Sequence, residues 1–192
     1  MARISRLVLS ALVLAALSSV SRASLIQYTV NLDGPSESPP NGSPGTGFGT
    51  VDYDNVAHTL HVHVDFQGLV APTTASHIHC CTPTPGVSTA GVATTTPSFA
   101  GFPNGVTAGT YDNVLDLTLA SSYNPTFVSN NGGTTASAEL ALMNGAAQGK
   151  AYWNIHTQAF PGGEIRGFLQ PVPEPASLAL IGFGTLLILR RR

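Results

Sequence analysis

The chain is poor in positive charge through its middle. Between residues 24 and 171 the only cations are Lys150 and Arg166. Nine carboxylates oppose them: Asp33, Glu37, Asp52, Asp54, Asp65, Asp112, Asp116, Glu139 and Glu164. A surface with two cations cannot make the many phosphate contacts that nucleic-acid binding relies on, so DNA and RNA are excluded as partners. Catalytic signatures are missing as well. No serine lies in a Gly-x-Ser-x-Gly elbow, and no glycine-rich loop follows a strand and opens a helix. The carboxylates are scattered, and only Asp52 and Asp54 share a strand face, beside a turn where solvated acids are ordinary. The expectation is a protein that is not an enzyme. Long helices are disfavoured by composition, since 20 Gly and 14 Pro are spread through 192 residues. Such a chain makes short strands and many turns. No internal repeat is visible.

Both ends read as addresses. Arg3 and Arg6 precede an apolar stretch from Leu7 to Val20, and Ser21-Arg22-Ala23 puts small residues where a signal peptidase reads. Residues 1–23 are therefore expected to be a signal peptide, cut after Ala23. At the other end Val172-Pro173-Glu174-Pro175-Ala176-Ser177 leads into an apolar run, 178–189, and then three arginines. The prolines keep the Glu174 region extended and accessible. The run is short for a full span, and the terminal arginines orient it with its end in the cytoplasm. Residues 172–192 resemble the PEP-CTERM sorting signal of exopolysaccharide-producing Gram-negative bacteria. That resemblance implies an exosortase, a membrane cysteine transpeptidase-like enzyme, recognising Pro173, Glu174 and Pro175. It also implies a transient membrane anchor at 178–189.

The remaining segment, 24–171, has the size of one domain. Period-two alternation predicts strands over 25–32, 46–54, 57–69, 74–80, 110–119, 151–157 and 164–170. In 57–69, Leu60, Val62, Val64 and Phe66 alternate with His61, His63, Asp65 and Gln67, one face for the core and one for water. A hairpin turn is expected near Asp54-Asn55, a helical turn around Pro125, and one short helix over 136–144 with Gly145 as its stop. Residues 82–110 are rich in Thr, Gly and Pro and read as a long, mobile connection. The fold class expected is all-β, an antiparallel β-sandwich or barrel with one short helical excursion.

The polar residues of interest are concentrated. Ala75-Ser76-His77-Ile78-His79 puts two imidazoles on one strand face, and Asn154 and His156 share a face in the same way. Glu164-Ile165-Arg166 repeats the spacing with a carboxylate and the segment's one arginine. Residues 25–170 resemble a CHRD domain, the module first described in chordin and found in many bacterial secreted proteins. The motifs are Leu32-Asp33-Gly34 with Pro39-Pro40, then His77-Ile78-His79, then Asn154-Ile155-His156-Thr157 with Pro161-Gly162-Gly163-Glu164-Ile165-Arg166-Gly167. Cys80-Cys81 departs from the family pattern, and so does the Thr-rich connection that follows. Chordin's growth-factor antagonism does not carry over to a bacterial envelope protein.

Two readings follow. In the first, the chain is an exported, non-catalytic protein of the cell envelope or an extracellular polysaccharide matrix, with no cofactor. Its histidines then belong to a buried polar cluster with Asn154 and a Glu164–Arg166 pair. In the second, His77, His79 and His156, joined by Cys80, Cys81 or Glu164, bind copper or zinc, with redox chemistry as the further expectation, because imidazole and thiolate suit those ions. His61, His63 and Asp65 read as a solvated strand face. In an oxidising compartment Cys80 and Cys81 have four options: an eight-membered disulfide ring, two thiols, metal ligation, or bridging to another molecule.

Overall fold

The computed structural model describes residues 25–173. The signal-peptide expectation at 1–23, most of the sorting motif (Glu174 and Pro175) and the apolar run 178–189 lie outside the described residues. Among those described, no helix is long and apolar enough to cross a membrane.

Seven strands follow one antiparallel path, and an eighth pairs off it. β1 (Leu25–Asp33), β2 (Thr46–Asp54) and β3 (Thr59–Gln67) form an unbroken meander, from Leu25 opposite Asp54 to Thr46 opposite Gln67. Asp54 closes the β2–β3 turn by accepting from the backbone N–H groups of Val56 and Ala57, both at 2.8 Å. β4 (Thr73–His79) leaves the meander, and β5 (Gly109–Asp116) returns to the free side of β3. After the helices, β6 (Tyr152–Thr157) pairs with β4, and β7 (Ile165–Phe168) links β6 to β1. The result is a curled half-barrel of antiparallel strands, within the expected class.

One close approach needs a glycine. A Cβ at Gly167 would drive into the Asn31 carbonyl, so only Gly lets β7 lie against β1. β8 (Gln170–Pro171) then pairs with β1, and the Val172 N–H donates to the Gln27 carbonyl at 2.8 Å.

The helical excursion follows a 3-10 turn at Ala120–Ser122. α1 (Pro125–Asn130) is the expected turn around Pro125, with the Asn124 side-chain oxygen accepting from the Thr126 N–H. α2 (Thr135–Ala147) opens with a reciprocal capping pair between Thr134 and Ser137. It runs through Gly145, which had been expected to stop it. The stop is Gly149, at φ +67: its N–H donates to the Ala146 carbonyl, and the Lys150 N–H donates to the Gly145 carbonyl. Those two bonds close a left-handed C-terminal cap four residues later than the first glycine suggested.

The concave side of the sheet holds the core. Val30 and Leu32, Val62 and Val64, Ile78, Trp153 and Ile155 are buried there, covered by Leu142 and Ala146 of α2. The 82–110 connection contributes to this packing: Phe99 is buried, stacked on Tyr111 and edge-on to Trp153. Strand burial differs between the two ends of the sheet. β3 alternates buried and accessible residues, whereas every residue of β6 is buried. The second face of β4, β6 and β7 is therefore covered as well. Segments 34–45, 82–106 and 158–164 supply the cover, as their hydrogen bonds below demonstrate.

Candidate metal centre

His77 and His79 lie two apart on β4, so they share a face, and pairing sets Ala75 opposite His156 on the neighbouring strand. The three imidazoles thus meet across one strand pair. One ligating nitrogen of each lies within 4.8 Å of the others, and each residue is at most 9% exposed. Among the described residues no Cys, Asp or Glu joins this group. Cys80 and Cys81 are bonded to each other as a disulfide, which removes them as ligands and settles their four options.

The outward nitrogens of the triad are all engaged with backbone. His77 Nδ1 lies 3.1 Å from the Pro97 carbonyl, His79 Nδ1 2.8 Å from that of Ala90, and His156 Nδ1 2.9 Å from that of Pro161. A carbonyl oxygen only accepts, so each Nδ1 must carry the hydrogen, and a neutral ring then bears a lone pair on Nε2. His77 Nε2 and His156 Nε2 face each other at 2.9 Å, and His79 Nε2 is buried with no hydrogen-bond partner. Two lone pairs cannot bond to each other. A proton or a metal cation placed between them would relieve their repulsion.

A proton is disfavoured. Burial is the main cause that pushes His77 down to about 3, assisted by repulsion from His79 and His156. Burial likewise takes His79 to about 4 and lowers His156. The triad is neutral at neutral pH, the state in which imidazole binds metals. Nitrogens around a tetrahedral ion at ~2.0–2.1 Å stand roughly 3.3 Å apart. The His77–His156 pair is near that separation already.

Beside the triad, His79 stacks flat on Tyr152 at 4.6 Å, and the Arg166 guanidinium lies 4.9 Å from the centroid of the same Tyr152 ring. Arg166 donates to the Ser36 and Ser88 carbonyls, pinning two covering loops to β7. Its carboxylate neighbour is Glu37, at 3.9 Å, and the expected pair with Glu164 does not form. Glu164 precedes the first residue of β7, and its side chain turns to other partners. One oxygen accepts from Ser43 Oγ at 2.6 Å and the Val70 N–H at 2.7 Å, and the other from Thr157 Oγ1 at 2.6 Å. Fully buried and used in three directions, Glu164 ties the 34–45 segment to β6 and offers no metal ligand. Asn154 lies between His77 and Arg166 in register, and its Oδ1 has no partner. Gly163, at φ +129, makes room for Asn154 and for the equally unpartnered Glu37 Oε1. Desolvation raises Glu37 to about 7 despite the nearby Arg166 charge.

The second histidine pair is arranged otherwise. His61 Nε2 and His63 Nδ1 both contact the Asp112 carboxylate, at 3.1 and 3.0 Å, on the accessible face of β3. This is the solvated face that alternation suggested. His58 pairs with Glu139 of α2 at 2.9 Å.

Sequence reasoning missed Glu37 and the three carbonyls at Pro97, Ala90 and Pro161. A backbone carbonyl leaves no mark on residue identity. Glu37 had one available signal, its place between the quoted Leu32-Asp33-Gly34 and Pro39-Pro40 motifs.

Comparison with known proteins now gives a definite result. A family model for the CHRD domain matches residues 28–169, and one for the PEP-CTERM protein-sorting motif matches residues 171–192. No curated protein and no solved structure matches the chain. The sorting motif implies export, processing by an exosortase-type system and transient anchoring through the C-terminal segment. With three quarters of its length under one family match, the chain belongs to the CHRD domain family.

Proposed function

We propose that the protein is an exported, non-catalytic component of the cell envelope or of an extracellular polysaccharide matrix. Its CHRD domain binds one copper or zinc ion through Nε2 of His77, His79 and His156. The observation that carries this reading is the convergence of three imidazoles with every Nδ1 committed to a carbonyl. Purely structural histidines would spend both nitrogens on hydrogen bonds, whereas these aim their lone pairs at one point. Nitrogen-only ligation suits copper and zinc over magnesium or calcium, which take oxygen. The backbone carbonyls hold each ring in the ligating tautomer, the part that outer partners play at known metal sites. Arg166, held on Tyr152, sets a positive charge near the site, a repulsion that the three nitrogen ligands must outweigh.

Export in this reading begins with a signal peptide at residues 1–23, removed by signal peptidase. In this reading the ion is held structurally and fastens β4 to β6, the two strands that carry its ligands. The test is elemental analysis of the purified protein, followed by titration of the chelator-treated protein with copper and zinc. One equivalent of one ion is expected. Binding no tighter than millimolar for both would overturn the reading.

A further inference from the structure

A second site lies just beyond the C-terminal end of β4, where Cys80 follows His79 and Val92 pairs with it. The Cys80–Cys81 disulfide lines a cavity of about 310 Å³, together with Phe127 of α1 and the Gly91–Val92 strip. That volume is at the low end of small-ligand pockets, ~300–1,000 Å³. The seat of the disulfide is purpose-built. A Cβ at position 145 would collide with both sulfurs, so α2 carries a glycine in mid-helix where Ala would cost roughly 0.5–1 kcal/mol less. The helix thus accepts a weaker residue in order to seat the disulfide beside the cavity.

The rim is made of neutral amides. Asn124 uses its carbonyl oxygen on the Thr126 N–H and keeps its NH2 group free. Asn131 uses its NH2 group on the Phe127 carbonyl and keeps its oxygen. Asn130 has no side-chain hydrogen bond among the described residues and offers both. No charged group lines the cavity, in a domain where carboxylates outnumber cations. The exposed sulfur-bearing side chain of Cys81 is polarisable and apolar, and with donors and acceptors around it suits a ligand with an apolar face and a polar, uncharged perimeter. A sugar ring has that form: C–H bonds on its face and hydroxyls around its edge.

We infer that the cavity over the Cys80–Cys81 disulfide is a binding site for a neutral saccharide unit. The ring lies against the exposed Cys81 side of the disulfide, and Asn124, Asn130 and Asn131 bond its hydroxyls. This site stands apart from the histidine triad and does not depend on metal. It gives the matrix reading a physical contact point, and rests on that reading only for where the sugar would be met.

The test is calorimetric titration of the chelator-treated full-length protein with maltohexaose, cellohexaose and isomaltohexaose, with an anionic oligogalacturonate as the contrast. Saturable binding of at least one neutral hexaose is expected. Asn130→Ala should weaken it about fivefold, the net worth of one hydrogen bond exchanged with water. Gly91→Trp should abolish it by filling the cavity. The added Cβ meets nothing within 4 Å there, and circular dichroism checks that the variant keeps its fold. His77→Ala should leave sugar binding unchanged, which separates this site's failure from that of the metal centre. Three results overturn the inference: no neutral hexaose bound at millimolar concentration, binding confined to the anionic sugar, or binding that survives Gly91→Trp.

Discussion

Two strands of this molecule carry the same three-letter phrase, His-x-His, and the structure treats them oppositely. On β3, His61 and His63 face water and lean on the Asp112 carboxylate. On β4, His77 and His79 are covered by three loops, meet His156, and have no carboxylate in reach. The spacing is identical, so spacing alone does not make a metal site. The deciding difference is the cover. Loop carbonyls at Pro97, Ala90 and Pro161 take the Nδ1 hydrogens, and exclusion of water keeps the rings neutral.

The sharpest way to break this contrast is to remove one imidazole from each pair. His77→Ala should weaken copper or zinc binding by more than the ~10–100-fold that loss of an outer partner costs. His61→Ala should change it less than about twofold, measured by competition with a chelator of known affinity. Equal losses would mean that the exposed pair binds the ion.

Buried and exposed carboxylates should separate in the same manner. Glu164→Ala leaves two hydroxyls and the Val70 N–H without their acceptor, at about 3 kcal/mol or more in urea unfolding. Asp112→Ala removes only screened surface contacts and should cost less than about 1 kcal/mol.

The pH dependence of the metal-free protein sharpens the comparison further. Folding holds His77 and His79 well below the ordinary imidazole value, at about 3 and about 4. The unfolded chain therefore binds more protons than the folded one as pH falls below about 6.5, and stability drops with it toward pH 4. Glu37 works the other way. Raised from 4.5 to about 7, it contributes stability at acid pH that is lost as pH climbs through 7. The histidines outnumber the one carboxyl, so the net slope below 6.5 is positive. Urea unfolding across pH 4 to 8 should reveal it, and Glu37→Gln should steepen it. A flat profile in the wild-type protein would show that the triad protonates freely while folded. Replacing His61 and His63 together is the smallest effect expected, within about 1 kcal/mol and with the slope retained.

Much of the scaffold was legible. The alternation in Leu60, Val62, Val64 and Phe66 located β3 to within two residues, because one face of that strand meets water and the other does not. The convergence of His156 with the β4 pair was suggested by matching strand faces. Where burial is two-sided the pattern fades: in β6 every residue is buried, so periodicity could not say which face held a site. Gly145 misled for a related reason. Its missing side chain serves the disulfide behind it, a tertiary need that a helix-stop rule does not see. The Glu164–Arg166 pair failed because the strand starts between those residues. Three segments distant in sequence claimed Glu164 instead.

The chain enters the domain at Leu25 and leaves it beside that same strand, where β8 pairs with β1 and Val172 is bonded to Gln27. Entry and exit thus share one seam, like two cords from a single eyelet. A pull on the C-terminal tether would load that two-residue seam first, peeling it like a zip before any force reached the histidines or the disulfide cavity. Trimming at either tail would likewise leave both sites at the same distance from the point of suspension.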